Sequence, residues 1–463
     1  MTAGPTEPSA IPAPRLKGLL TLAWPIVISR ASQVVVGVCD ALMVAHLGDA
    51  SLAATTTGAM DVFALLILPM GVAFIVSSFA SQLFGKGDLA GARRYGYYGL
   101  ALAVCAQLFC LGTSFVTGPI LNLLPYTPEV RELIGAYVRI RFLSGGAAVG
   151  IEALGNYYGG IGNTRLPMQA NVVAMVLNVV GCFVLIDGRF GAPAMGVRGS
   201  ALAGTLATTI AFAGLLARFL LDGRKAAADG AGGLSLREFG RMLRFGLPSG
   251  FNWFFEFMAF MFFINIVVAG LGTTELAAMM TVMQVNSVAF MPAFGLASAG
   301  AILVGQAIGA SHKDAVPRIV RLTFLTSACW QALVGITYVA IPGLVLAAFA
   351  REGDAGAPLR AAGTPLLMLS AAWLLFDALG TTLAEALRAA GDTAYTLWAR
   401  LVIAWLVFVP GSYLSVRKLH WSERGAVSWM VVYLALLAAV LVIRFRRGAW
   451  RRIELTHADP PLT

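Results

Sequence analysis

Three carboxylates stand inside long apolar runs: Glu256 within FNWFFEFMAFMFF (251–263), Asp377 after Leu374-Leu375-Phe376, and Asp40 in the first apolar stretch. An ionisable group near the centre of a bilayer costs about 2.5 to 3.5 kcal/mol on insertion scales, so an acid kept there is expected to exchange a proton or hold a cation. Helical spacing gives each acid a polar face. Ser249, Asn252 and Trp253 go with Glu256; Ser370, Thr381 and Glu385 go with Asp377; Ser29, Ser32, Gln33 and Gly37 go with Asp40. Such faces suit a cavity inside a helical bundle, the competing reading being interhelical hydrogen bonds that lock the bundle. Trp253, Phe260 and Phe263 share the glutamate's face and are candidates for an aromatic cage around a cation, at about 0.5 to 2 kcal/mol per contact.

Other chemistries find little support. The four histidines (His46, His312, His420, His457) fall at helix ends or in a tail, and no H-E-x-x-H pair or metal-spaced acid set appears, so an enzyme is not expected. Gly85-Lys86 lacks the upstream glycine and following hydroxyl of a phosphate-binding loop, which points away from ATP. The five cysteines have no C-x-x-C spacing and read as packing residues. Arg30, Glu152, Arg139 and Arg141 are further charges in apolar surroundings; pairing or snorkelling accounts for them.

The elements that must position these acids are membrane helices. Hydrophobic residues make up 58% of the 463 and charged ones only 12%, with a mean hydropathy of +0.79. A soluble domain carries roughly 25% charge, and a spanning helix needs about 20 apolar residues. Twelve spans are expected, near 17–46, 55–84, 94–117, 130–160, 166–186, 197–221, 240–270, 278–309, 316–343, 359–389, 394–416 and 425–445. Residues 1–16 read as a disordered tail, 17–221 and 240–446 as two six-helix lobes, 222–239 as a polar linker and 447–463 as a second tail. The net charge of +10 comes from basic residues at helix ends, not from a stripe that would suit nucleic acid. About 22 of the 33 Lys and Arg fall on the side of the termini, which places both termini in the cytoplasm of an inner-membrane protein.

The halves repeat each other. Pro25 corresponds to Pro248, Leu47-Gly48 to Leu271-Gly272, Gln82 and Gly85 to Gln306 and Gly309, and Gly162-Asn163-Thr164 to Gly391-Asp392-Thr393. Six helices per repeat give both halves the same direction through the membrane, hence a pseudo-two-fold axis along its normal, an architecture common among carriers. Pro25 and Pro248 each remove an internal hydrogen bond and permit a kink.

This pattern resembles the MATE (multidrug and toxic compound extrusion) family, in its NorM-type branch. The carrying segments are Leu22-Ala23-Trp24-Pro25, Asp40-x-x-Met43-Val44, His46-Leu47-Gly48, Ser81-Gln82-Leu83-Phe84-Gly85-Lys86-Gly87-Asp88, Phe245-Gly246-Leu247-Pro248 with Glu256, Val304-Gly305-Gln306-Ala307-Ile308-Gly309, and Asp377 followed by Arg388-Ala389-Ala390-Gly391-Asp392-Thr393. The resemblance implies a secondary antiporter that exports small organic, mostly cationic, compounds in exchange for H+ or Na+. It further implies an all-α fold, alternating access, no other cofactor, contact with membrane lipid and a monomer. It implies cation or proton coupling at Glu256, Asp377, Asp40 and Asn178, with Na+ at Glu256 and Asp377 as the one metal option, and a substrate cavity at Gln33, Asn252, Trp253, Phe260, Trp373 and Thr381. It also suggests that protonation of Asp40 changes the bend of helix 1 at Pro25. Cys182 stands where many members carry Asp or Asn, and Trp373 where some carry Tyr, which weakens sodium coordination in each half. A lipid-linked glycan flippase of the same wider group is the alternative, though such proteins have strongly basic cavities.

Overall fold

Lipid offers the backbone no hydrogen bonds, so a chain this apolar satisfies its amides within helices. The structure is a computed structural model and describes residues 16–226, 233–347 and 357–456; among them there is no β-strand. The first half consists of α1 (Leu16–Ala45), α2 (Asp49–Ala73), α3 (Ile75–Gly85), α4 (Leu89–Asn122), α5 (Pro128–Phe142), α6 (Gly145–Gly160), α7 (Arg165–Leu185) and α8 (Val197–Ala226). The second consists of α9 (Leu236–Phe262), α10 (Thr273–Gly309), α11 (Val316–Ala340), α12 (Pro342–Ala347), α13 (Ala357–Ala390), α14 (Thr393–Val402), α15 (Val409–Arg417) and α16 (Glu423–Arg446). A π-helical turn, Phe263–Val268, extends α9, and another, Ile403–Phe408, joins α14 to α15.

Eleven of the described helical stretches are long and apolar enough to cross a membrane, with α2 and α3 forming one span. The chain is a multi-pass membrane protein. The fourth of the twelve expected spans is composite, α5 followed by α6, because Arg131, Glu132, Arg139 and Arg141 lower its apolarity and the helix breaks at Leu143-Ser144. Gln107 of α4 bridges the break: its Nε2 donates to the Phe142 carbonyl at 3.0 Å and its Oε1 accepts from the Gly146 amide at 2.8 Å. Several helices run past their expected ends. α2 starts at Asp49, α4 covers Leu89–Asn122 and α8 continues to Ala226, since polar ends stay helical outside the apolar stretch that sequence patterning detects. The expected linker thus overlaps α8 and α9, while residues 1–15, 227–232, 348–356 and 457–463 lie outside the described residues.

The buried apolar residues fall mainly into two clusters, one drawn chiefly from each half. The halves meet reciprocally, α1 against α10 and α2 against α9. At the end carrying the C-termini of α3 and α10 they cross in near-symmetric fashion. A Cβ on Gly85 would stand 2.2 Å from the Gln306 carbonyl oxygen, and one on Gly309 would stand 1.9 Å from that of Gln82. Gln82 Nε2 donates to the Ala389 carbonyl at 2.7 Å, and Gln306 Nε2 donates to that of Gly160 at 3.1 Å. The matched loop glycines Gly162 and Gly391 share φ values of +86° and +90°, a region that favours glycine. Beyond α16 the described residues pack back on the bundle. Trp450 stacks on Phe445, Leu455 is fully buried in the first half's core, and Lys86 Nζ donates to the Thr456 carbonyl at 3.3 Å.

Candidate functional site

The second half encloses a cavity of about 180 Å³. α9 contributes Asn252, Trp253 and Glu256, α13 contributes Asp377, Thr381, Glu385 and Arg388, and α14 contributes Arg400. The residues from α9 and from α13 recur at three- and four-residue spacing, which is why one helix face presents each set. Glu256 is ion-paired with Arg400, and its Oε1 accepts from the Tyr433 hydroxyl at 3.5 Å. Glu385 is ion-paired with Arg388 one turn along the same helix. Three acids against two arginines leave one carboxylate over. That one is Asp377, whose sole hydrogen bond among the described residues comes from Thr381 Oγ1 at 3.4 Å.

A second cavity, about 70 Å³, lies mainly in the first half, where Arg30, Phe74, Glu152, Asn156 and Asn171 line it; Ser298 and Ile302 of α10 close it, and Arg388 is common to both cavities. Arg30 Nη2 meets Glu152 Oε1 at 2.7 Å, and Asn156 Nδ2 donates to the same oxygen at 3.0 Å. The guanidinium groups of Arg30 and Arg388 lie 5.4 and 5.6 Å from the centre of the Phe74 ring. Phe74 also contacts Trp253 and Phe294, so aromatic rings and two guanidinium groups separate the cavities. Drug-sized ligands occupy pockets of about 300 to 1,000 Å³, more than either cavity offers in this conformation.

Asp40 lines neither cavity. Its Oδ1 accepts from Cys182 Sγ at 3.2 Å, and Asn178 and Arg141 are its other polar neighbours. Arg141 fits because Gly204 on α8 has no side chain: a Cβ there would stand 2.6 Å from its Nη1.

Residues 25–184 and 248–414 match the MatE family, one block in each half. The chain belongs to the MatE family. Curated relatives named NorM match it over nearly their whole length. The probable multidrug resistance protein NorM of Rhizobium meliloti (strain 1021) is 28% identical over 440 residues, covering 92% of each chain. The multidrug resistance protein NorM of Burkholderia vietnamiensis is 26% identical over 430 residues, again covering 92% of each. Among solved structures, MATE in complex with MaL6 superposes with a TM-score of 0.84 at 20% identity, over 94% of this chain and 97% of that one. The eukaryotic MATE transporter AtDTX14 superposes with a TM-score of 0.81 at 18% identity, over 94% and 96%. The fold is thus that of MATE proteins, with two six-helix repeats about a pseudo-two-fold axis.

Within this MatE fold, the expected residues Asn252, Trp253, Glu256, Asp377 and Thr381 share one cavity. Asp40 and Asn178 come together elsewhere, with Cys182. Gln33 bridges Arg30 and Asn171, at 3.3 Å to each, outside the second-half cavity. Like Gln33, neither Trp373 nor Phe260 lines the second-half cavity. Trp373, one turn before Asp377, is 5% exposed within the second half's core, and Phe260 packs against that core instead of lining the cavity. Phe263 is fully buried and begins the π-turn. Sequence reasoning missed Arg400 and Arg388. Both lie near helix ends by sequence, where basic residues ordinarily point to water, and only the three-dimensional packing turns them inward.

Proposed function

We propose that this protein is a multidrug efflux transporter, a secondary antiporter that exports small organic cations in exchange for H+ or Na+ by alternating access. The observation that carries the reading is the second-half cavity, where two membrane-embedded acids, Glu256 and Asp377, meet beside Trp253. An acid without a basic partner in a low-dielectric site gains by taking up a proton, a metal cation or an organic cation, and these compete for it. Competition for one charge is what couples the fluxes: the ion enters from outside, substrate leaves, and the freed acid favours the inward-facing state that recruits substrate. The names of the relatives, multidrug resistance proteins, support the substrate class.

Glu256 and Asp377 act as coupling acids, with Asp40 and Asn178 in a secondary role, and a bend of α1 at Pro25 follows the charge state of Asp40. The crossed end of the bundle, near Gly85 and Gly309, faces the cytoplasm together with both termini. Lobes at 17–221 and 240–446 move against each other in one monomer of the inner membrane, without ATP. Both cavities are small for a drug, so substrate entry needs Phe74 and its flanking arginines to move. A glycan flippase calls for a basic cavity, whereas the acids outnumber the arginines in this one.

The test is efflux of ethidium from proteoliposomes under an imposed proton gradient, an imposed sodium gradient, or neither. Export under one gradient alone supports the antiporter and names its ion. No export under either, with flipping of a lipid-linked glycan in the same vesicles, rejects it.

A further inference from the structure

Arg400 lies in the last turn of α14, three residues before the π-turn Ile403–Phe408, and its side chain is only 11% exposed. It reaches Glu256 on α9, the acid that the cavity would otherwise offer to a ligand. Four neighbours surround the site that a different cation would take. Asn252, one turn before Glu256, has a buried Oδ1 with no donor. Trp253 and Phe294 line the same cavity with centroids 5.8 Å apart, presenting π surface. Tyr433 has its hydroxyl on Glu256 and feels the charges of both Arg400 and Asp377, so the three charged groups surround one small space.

From this geometry we infer that Arg400 is a tethered cation that competes with the transported cation for Glu256. The inference rests on the reading of this cavity as a cation carrier's site. An arriving organic cation displaces the guanidinium, gaining the carboxylate, the idle Asn252 oxygen and the aromatic faces. When it departs, Arg400 returns, so Glu256 is never left bare in the membrane interior, where an unpaired charge is costly. Asp377 then remains as the one cavity acid that must draw its cation from solution. Arg400 thereby sets the affinity for cationic substrates low enough for release, without altering the apolar part of the site.

The experiment is equilibrium binding to the purified full-length protein of tetraphenylphosphonium, a permanent monocation, and of triphenylphosphine oxide, its uncharged analogue. Arg400→Gln should bind the cation about tenfold more tightly than wild type, a gain of about 1.4 kcal/mol. Binding of the oxide should not change. Arg400→Lys keeps a charge but not the planar fork, so it should tighten cation binding about two- to threefold and serves if the glutamine variant does not fold. The double variant Glu256→Gln/Arg400→Gln should lose the gain. A merely structural arginine would weaken both ligands on replacement. Equal or weaker cation binding by the folded variants, with wild type still binding, overturns the role of Arg400 alone. Failure of wild type to bind the cation overturns the carrier reading and this inference with it.

Discussion

Each half of the molecule sets an interhelical arginine–glutamate pair at a cavity and an aspartate outside that pair, yet the arrangements differ. In the first half Arg30 of α1 meets Glu152 of α6, and Asp40 lies away from both cavities against Cys182, with Arg141 nearby. In the second, Arg400 of α14 meets Glu256 of α9, and Asp377 lies in the cavity with no basic partner among the described residues. The crossed end, by contrast, is nearly symmetric, down to paired Gln side chains donating to carbonyls of the opposite half. Duplication has preserved what closes the bundle and has let its charges diverge. On the proposed function, the second half carries the exchangeable charge and the first holds its charges in place.

If closure is the shared part, breaking it in either half should have the same, and the largest, consequence. Gly85→Val and Gly309→Val each force a side chain onto backbone of the other half. Both should abolish export, and maleimide labelling of a cysteine placed at Ala389, in a background without other cysteines, should rise in both. A loss confined to one variant would break the symmetry. Next in size is Arg30→Met, which strands Glu152, 7% exposed. Removing one partner of a buried pair costs about 3 to 5 kcal/mol, so thermal stability in detergent should fall sharply and Arg30→Met/Glu152→Met should recover most of it. Leu455→Ala removes a fully buried side chain that ties the C-terminal segment to the first half's core. A cost near the lower end of about 2 to 5 kcal/mol should appear as faster proteolysis of that segment with little change elsewhere. The smallest effect belongs to Cys182→Ala, which takes one weak donor from Asp40 and should cost about 1 kcal/mol in stability.

Helix number, repeat and the face shared by Asn252, Trp253 and Glu256 were legible in the sequence, because apolar length and helical spacing are local properties. The crossed glycines were half legible. Gln82 and Gly85 could be matched to Gln306 and Gly309 by pattern, but their contact with the opposite half could not. Trp373 shares a helix face with Asp377 by spacing, yet its ring is buried in the second half's core, a placement that depends on neighbouring helices and not on spacing. Arg400 and Arg388 escaped notice for a physical reason: whether a basic residue near a helix end points to water or into the bundle depends on the partner helix, and helical periodicity carries no information about partners. The break between α5 and α6 is likewise bridged by Gln107 of a different helix.

The most direct test of the division between the halves is to measure ethidium export driven by the same ion gradient in Asp377→Asn and Asp40→Asn, each reconstituted at equal amounts. The account predicts that Asp377→Asn falls to the background of empty vesicles while Asp40→Asn retains a measurable fraction of the wild-type rate. Wild-type export by Asp377→Asn, or loss in Asp40→Asn alone, would contradict it and move the exchangeable charge to the first half.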